Sequence, residues 1–217
     1  MNESLVLLDA QNMRIWRGEN LLVDGVSVCV KRGSIVQIQG SNGSGKTTLL
    51  RALIGLAEFD EGEIRWCGSK VSRVRDEMGG QLLYLGHKPG ITGGLTPAEN
   101  LFALCPELAT GDRKEGGREA IEQVLDELGI ADRIDLPSVA LSAGQQRRVA
   151  LARLRLQSAL LWVLDEPLTS LDTQGHAWVR AEIQRHVAEG GAVMFTTHQA
   201  MAFDNTPVDT VTLAVQD

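Results

Sequence analysis

The stretch "GSNGSGKTT" (residues 40–48) matches G-x-x-x-x-G-K-[ST] at every fixed position. Its flanks decide what it means. "SIVQIQ" (34–39) before it is a short apolar strand, and "KTTLLRALIGL" (46–56) after it is helical and stops near Gly55. A strand, a glycine-rich loop and a helix in that order form a phosphate cradle. Backbone N–H groups of 42 to 47 wrap the phosphates, and Gly40, Gly43 and Gly45 permit close approach. Ser41, Asn42, Ser44 and Thr48 complete the loop. Lys46 is expected to reach the β- and γ-phosphates and Thr47 to hold Mg²⁺. A chance glycine-rich turn does not explain eight agreeing positions with both flanks in place.

Upstream, Val26, Val28 and Val30 alternate with polar neighbours and predict a strand, which "KRG" (31–33) turns. "GEIRWCG" (62–68) and "QLLYLG" (81–86) predict further strands, so the first eighty-odd residues read as mostly sheet with one prominent helix. Downstream, "TPAENLFAL" (96–104) carries a threonine cap, Pro97 at the first helical position and Glu99 at the third. "ATGDRKEGGRE" (109–119) reads as a surface loop. Ile121, Val124, Leu125 and Leu128 stand at amphipathic-helix spacing, and "DLP" (135–137) breaks the chain. Residues 88–158 therefore read as a helical insert.

After the insert, "ALLWVLDEP" (159–167) is a near-continuous apolar run, as in a strand buried on both faces. It ends in Asp165 and Glu166. Asp165 is expected at the sheet edge where phosphate and magnesium sit, with Glu166 as a base for water. A helix around 174–189, "AVMFTTH" (192–198) and "TVTLAV" (210–215) follow, an α/β order with helices covering a largely parallel sheet. His198 ends a predicted strand, where a histidine alone is more often a structural hydrogen-bonder than a catalyst.

The chain has 217 residues and a net charge of −7, which suits one domain and gives no support for nucleic-acid binding. Cys29, Cys67 and Cys105 show no CxxC spacing, which argues against disulfides or a thiolate metal site and predicts core or near-core thiols in a reducing compartment. No secretory signal and no membrane-length apolar run is read in the sequence.

The stretch "LSAGQQRR" (141–148) is less plain. Ser142 followed by Gln145 fits a capping box that any helix could use. Gly144 in the first turn is costly for a helix and lets an anion approach the helix start. "GSNGSGKTT", "LSAGQQRR" and "LLWVLDEP", with "SLD" (170–172) and the late "TTH", together resemble the ATP-binding cassette of ABC transporters over essentially the whole chain. The resemblance implies a P-loop NTPase fold of the ABC type. It would be one domain over 1–217, with a mixed sheet core (1–87 and 159–217) that has an antiparallel N-terminal β part, and an inserted helical subdomain (88–158). It also implies an ATPase whose cofactors are ATP and Mg²⁺. Two copies would pair head-to-tail, with Ser142, Ala143, Gly144 and Gln145 facing the ATP of the partner. Trp16 would stack on adenine, although an ordinary strand aromatic remains the alternative, and His198 would lie beside the γ-phosphate as a catalytic residue.

Two departures narrow the reading. Ala143 stands where glycine is commoner, and "YLGHKPGIT" (84–92) puts His87 where most cassettes carry a glutamine that senses Mg²⁺ and meets the membrane subunit. With "LTPAENL", "WVLDEPLTSLD", "TTHQ" and a short C-terminus, these features resemble the ATP-binding subunits of the heme exporters of cytochrome c maturation. That branch implies polytopic membrane permease subunits, an indirect link to a heme-handling chaperone, and a peripheral place on the cytoplasmic face of the inner membrane. The alternatives are an exporter ATPase for a lipid or peptide, a cassette for DNA repair or ribosome work, and a nucleotide switch without turnover. Repair and ribosome cassettes tend to carry a coiled coil, a second cassette or basic tails that are not seen here. Glu166 and His198 argue against a switch.

Overall fold

Alternating valines build the first sheet. β1 (Val6–Arg17) and β2 (Asn20–Lys31) pair antiparallel, and β1 also pairs antiparallel with β4 (Glu61–Trp66), which carries the two-residue β5 (Ser69–Lys70). The order is β2-β1-β4-β5. Val28 and Val30 turn inward while Ser27 and Cys29 face out, the period-2 pattern of a half-buried strand. The second sheet has the order β6-β7-β8-β3-β9, with β3 (Ile35–Gln39), β6 (Leu82–Leu85), β7 (Leu161–Asp165), β8 (Ala192–Thr196) and β9 (Val208–Thr212). The β7–β8, β8–β3 and β3–β9 pairs are parallel. Every residue of β7 and β8 is buried, as expected for parallel strands covered on both faces. The mixed sheet core with an antiparallel N-terminal part is thus present.

The computed structural model describes residues 5–109, 116–197, 201–203 and 206–214. They divide into two units, the first comprising 1–84, 159–166 and 183–217 and the second 85–158 and 167–182. In the first unit, α1 (Lys46–Leu53) buries Leu49, Leu50 and Leu53 in a core shared by both sheets, with Met13, Ile15, Trp66, Val36, Ile38 and Val163. In the second, α3 (Pro97–Leu104), α4 (Gly117–Glu127) and α5 (Ala143–Leu156) pack around Leu101, Ile121, Leu125 and Val149. The capping box at Thr96 and Glu99 forms with both arms. Asn100, almost fully buried, accepts from the Thr92 N–H at 2.7 Å and donates to the carbonyls of Thr92 and Thr96 and to Ser138 Oγ, which pins the loop before α3. α6 (Thr173–Ala188) precedes β8.

Four expectations need correction. The first eighty residues hold a second helix, α2 (Val71–Gly80), which buries only Val71 and Met78 and so leaves almost no apolar period to read. The segment 109–119 is not all loop. Residues 110–115 lie outside the described residues, but Gly117 opens α4, because a Cβ there would stand 2.5 Å from the Leu108 carbonyl oxygen. Glycine at 117 reflects packing rather than a turn. Cys29 and Cys67 are exposed, and only Cys105 is buried. The last strand starts at Val208, two residues before its expected start. β1 escaped the alternation test because register shifts interrupt its pairing with β2.

Candidate nucleotide site

In the first unit, the loop after β3 hands the chain to α1 through Gly45, whose φ of 88° is left-handed and open to glycine at low cost. A Cβ on Gly40 would collide with Ser44 Oγ, so glycine is required there too. No side chain caps α1, which leaves its first N–H groups to an anion. The buried Ser44 hydroxyl has no hydrogen-bond partner. Lys46 is buried, and its ammonium donates to the carbonyls of Gly40 and Ser41, each at 2.8 Å. The lysine thus folds back over the loop that it closes. Ser41, Asn42, Gly43 and Thr47 are exposed, and Thr48 is half-buried.

β7 delivers the carboxylates. Asp165 is 1% exposed at the strand's end, and Thr47 Oγ1 donates to it, 2.9 Å from Oδ2 and 3.2 Å from Oδ1. Thr196, at the end of β8, donates its hydroxyl to Asp165 Oδ1 at 2.8 Å and accepts the Glu166 N–H at 3.0 Å. Glu166 has a φ of 49°, left-handed and unusual for a residue with a side chain. A hydroxyl and a carboxylate beside an amide-lined loop form a hard oxygen donor set that suits Mg²⁺. Among the described residues no group of three His, Cys, Asp or Glu could hold a metal alone, so a cation here needs ligands from phosphate and water.

Trp16 lies near the end of β1 and is 42% exposed, and its backbone N–H donates to Asp60 Oδ2 at 2.7 Å. It pairs with Leu21, and the next residues, Leu22 and Val23, pack within 3.3 Å of where a Gly45 Cβ would stand. The hairpin that carries Trp16 therefore meets the phosphate loop at Leu22 and Val23. His198 lies outside the described residues; Thr196 and Thr197 before it are buried.

Ser142, Ala143, Gly144 and Gln145 fall in the second unit, as does His87, which is exposed. Ser142 caps α5 in a full box: Gln145 N–H donates to Ser142 Oγ at 3.2 Å, and Ser142 N–H donates to Gln145 Oε1 at 2.9 Å. Gly144 has an internal reason to be glycine, because a Cβ there would stand 2.7 Å from the Ser170 carbonyl oxygen. The same helix anchors its surroundings through two arginines. Arg148 bonds Asp172 at 2.6 Å and the Leu128 carbonyl at 2.9 Å, while buried Arg147 donates to the Gly86 carbonyl at 2.7 Å, next to His87. The Gly175 N–H, and then Arg148, hold the Asp172 carboxyl below its usual range. Sequence reading missed Thr196, Arg147 and Arg148, because hydroxyl and guanidinium contacts across 20 to 61 residues leave no local pattern.

The comparisons extend this geometry. A family model described as ABC transporter matches residues 23–169. The "Cytochrome c biogenesis ATP-binding export protein CcmA" of Yersinia pseudotuberculosis is 48% identical over 193 residues, 89% of this chain and 86% of that one. The protein of the same description from Vibrio vulnificus is 44% identical over 199 residues, covering 92% and 95%. Among solved structures, an ATP-binding subunit of an ABC transporter superposes with a TM-score of 0.78 at 23% identity, over 88% of this chain and 79% of that one. A dimeric ATP-binding cassette in a post-hydrolysis state with ADP and Pi gives 0.77 at 23% identity, over 89% and 88%. Those structural matches speak to the fold.

Proposed function

Since the chain belongs to the ABC transporter family, and within it to the cytochrome c biogenesis ATP-binding export proteins, we propose that it is the ATP-hydrolysing subunit of a membrane complex that exports heme, or releases a heme-loaded chaperone, for cytochrome c maturation. The observation that carries the ATPase is the meeting of Thr47, from the phosphate loop, with Asp165, beside Glu166.

In this reading Lys46 exchanges its two carbonyl partners for the β- and γ-phosphate oxygens, and the loop amides of 42–47 hold the remainder. Thr47 and Asp165 would hold Mg²⁺, which supplies charge neutralisation on the phosphates. Glu166 accepts the proton of the attacking water at its carboxylate. Trp16 stacks on adenine. His198 adds a hydrogen bond to the γ-phosphate. Two copies close head-to-tail, so that Ser142, Ala143, Gly144 and Gln145 of one face the ATP of the other; one cassette of the same fold is dimeric. The chain works as one cassette over 1–217, with a core of 1–87 and 159–217 and a helical part of 88–158. Among the described residues no helix is long and apolar enough to cross a membrane, which is compatible with peripheral attachment to permease subunits on the cytoplasmic face of the inner membrane. His87 is the residue we assign to contact with those subunits and to a weak role at Mg²⁺.

Glu166→Gln keeps the shape and removes the base, so Mg-ATP binding persists while turnover falls about 100-fold or more. Parental turnover in that variant would sink the base assignment. Deletion of the gene should abolish covalent c-type cytochromes and spare b-type ones, and Lys46→Ala should reproduce the loss at unchanged protein level. Normal c-type cytochromes in the deletion strain would redirect the cargo to another molecule.

A further inference from the structure

The proposed catalytic carboxylate sits on a backbone that something must hold. Glu166 is left-handed at φ 49°, a conformation that is unfavourable for a residue with a side chain and persists only where its surroundings impose it. Its N–H meets one acceptor on the neighbouring strand, Thr196 Oγ1 at 3.0 Å. The same hydroxyl spends its single proton on Asp165 Oδ1, at 2.8 Å. Thr196 is wholly buried in β8, in register with Asp165 on β7. Water therefore does not compete for the bond to Asp165.

We propose that Thr196 is a positioning residue for hydrolysis: one hydroxyl orients the Asp165 carboxylate and, by receiving the Glu166 N–H, fixes the left-handed turn that aims the Glu166 side chain. The inference rests on the reading of Glu166 as the base. Thr47 approaches Asp165 from the phosphate loop, mainly at Oδ2, so the two threonines fill complementary positions on one carboxylate. Valine at 196 would match threonine in shape and meet neither group. It would take the hydroxyl acceptor away from the Glu166 N–H and let the turn relax. No atom of Thr196 needs to touch ATP, so the expected loss falls on turnover rather than on binding.

The test measures ATP binding and steady-state hydrolysis by the full chain with its membrane subunits. Thr196→Val should lower kcat by about 10- to 100-fold, the equivalent of one buried hydrogen bond left unmade. KM for ATP should stay within about twofold, since the phosphate loop is intact. Thr196→Ser restores the hydroxyl and should recover kcat to within about threefold of the parent. Adding Thr196→Val to Glu166→Gln should cost little more, because the residue acts through Glu166. Thr196→Ala takes the place of the valine variant if the latter fails to bind ATP. Parental kcat in the variant without the hydroxyl overturns the proposal. So does a serine variant as impaired as valine, which would make the methyl group, and hence packing, the cause. A full additional loss in the Glu166→Gln background also overturns it. Parental turnover of Glu166→Gln alone would instead refute the base assignment.

Discussion

Thr47 and Asp165, 118 residues apart in sequence, are joined by the Thr47 hydroxyl, which lies 2.9 Å from one carboxylate oxygen and 3.2 Å from the other. The bond ties the first turn of α1 to the end of β7. Asp165→Asn keeps the volume and halves the acceptor capacity. It should raise the Mg²⁺ concentration needed for half-maximal hydrolysis at least about tenfold, while nucleotide binding without Mg²⁺ changes little. Magnesium titrations of ATPase activity, beside calorimetry in chelator, check both halves. An unchanged Mg²⁺ requirement would remove Asp165 from the metal site.

Gly144 bears on both stability and dimer contact. Alanine there must displace the Ser170 carbonyl, since its Cβ would stand 2.7 Å away. We expect Gly144→Ala to lower stability by about 1–3 kcal/mol in denaturant melts of the isolated chain. Loss of ATPase in that variant therefore does not by itself report a phosphate contact. Cysteines replacing Ser44 and Ala143 give the cleaner measurement of the head-to-tail contact: a disulfide should form between chains only when nucleotide is present. Crosslinks confined to one chain would contradict the arrangement.

His186 stacks on Trp162, with ring centroids 3.9 Å apart and planes within 3°, and a Cβ on Gly191 would collide with its imidazole. Burial pushes this imidazole below its ordinary value of 6.5, so the folded chain binds the proton less readily than the unfolded one. Its contribution to stability is full above about pH 6.5 and is lost as pH falls below that value. Urea midpoints measured from pH 7.5 to 5.5 should decline, and His186→Gln, which does not titrate, should flatten part of the slope. Gly191→Ala should destabilise through the collision, and His186→Ala should relieve it. An additive double mutant would show that the two positions do not meet.

The three thiols divide by burial. Cys29 and Cys67 are exposed, whereas burial drives the Cys105 thiol up to about 12. A maleimide at neutral pH should modify two cysteines in the folded chain and the third only after denaturation, as read by intact mass. Rapid labelling of Cys105 would mean that the helical unit opens readily. Because its folded value is raised, Cys105 contributes stability that is full below its unfolded value and is lost as pH rises toward about 12.

The phosphate loop, the buried strand before Asp165 and the capping box at Thr96 were legible because each is local: a fixed spacing, an apolar run or a three-residue reciprocal bond. The helix α2 was not, because two buried residues seven apart carry no readable period. Gly144 was legible as a glycine, and the fold adds a second reason for it. The expected reason was an approaching phosphate, while the close neighbour in the fold is Ser170 of the same chain. The exposed thiols of Cys29 and Cys67 likewise depended on which strand face points outward, and at Cys67 on a left-handed residue after β4.

Local stretches of the chain carry the chemistry on offer: an amide-rich loop with Lys46 and Thr47, two carboxylates after an apolar strand, and a helix capped by Ser142. How these groups are held follows from the folded sheet. The parallel pairing of β7 with β8 brings Thr196 level with Asp165, and the left-handed turn at Glu166 brings its N–H to the same hydroxyl. Such bonds join residues 30 or more positions apart. Strand register sets their partners, and register is a property of the packed sheet rather than of any short segment.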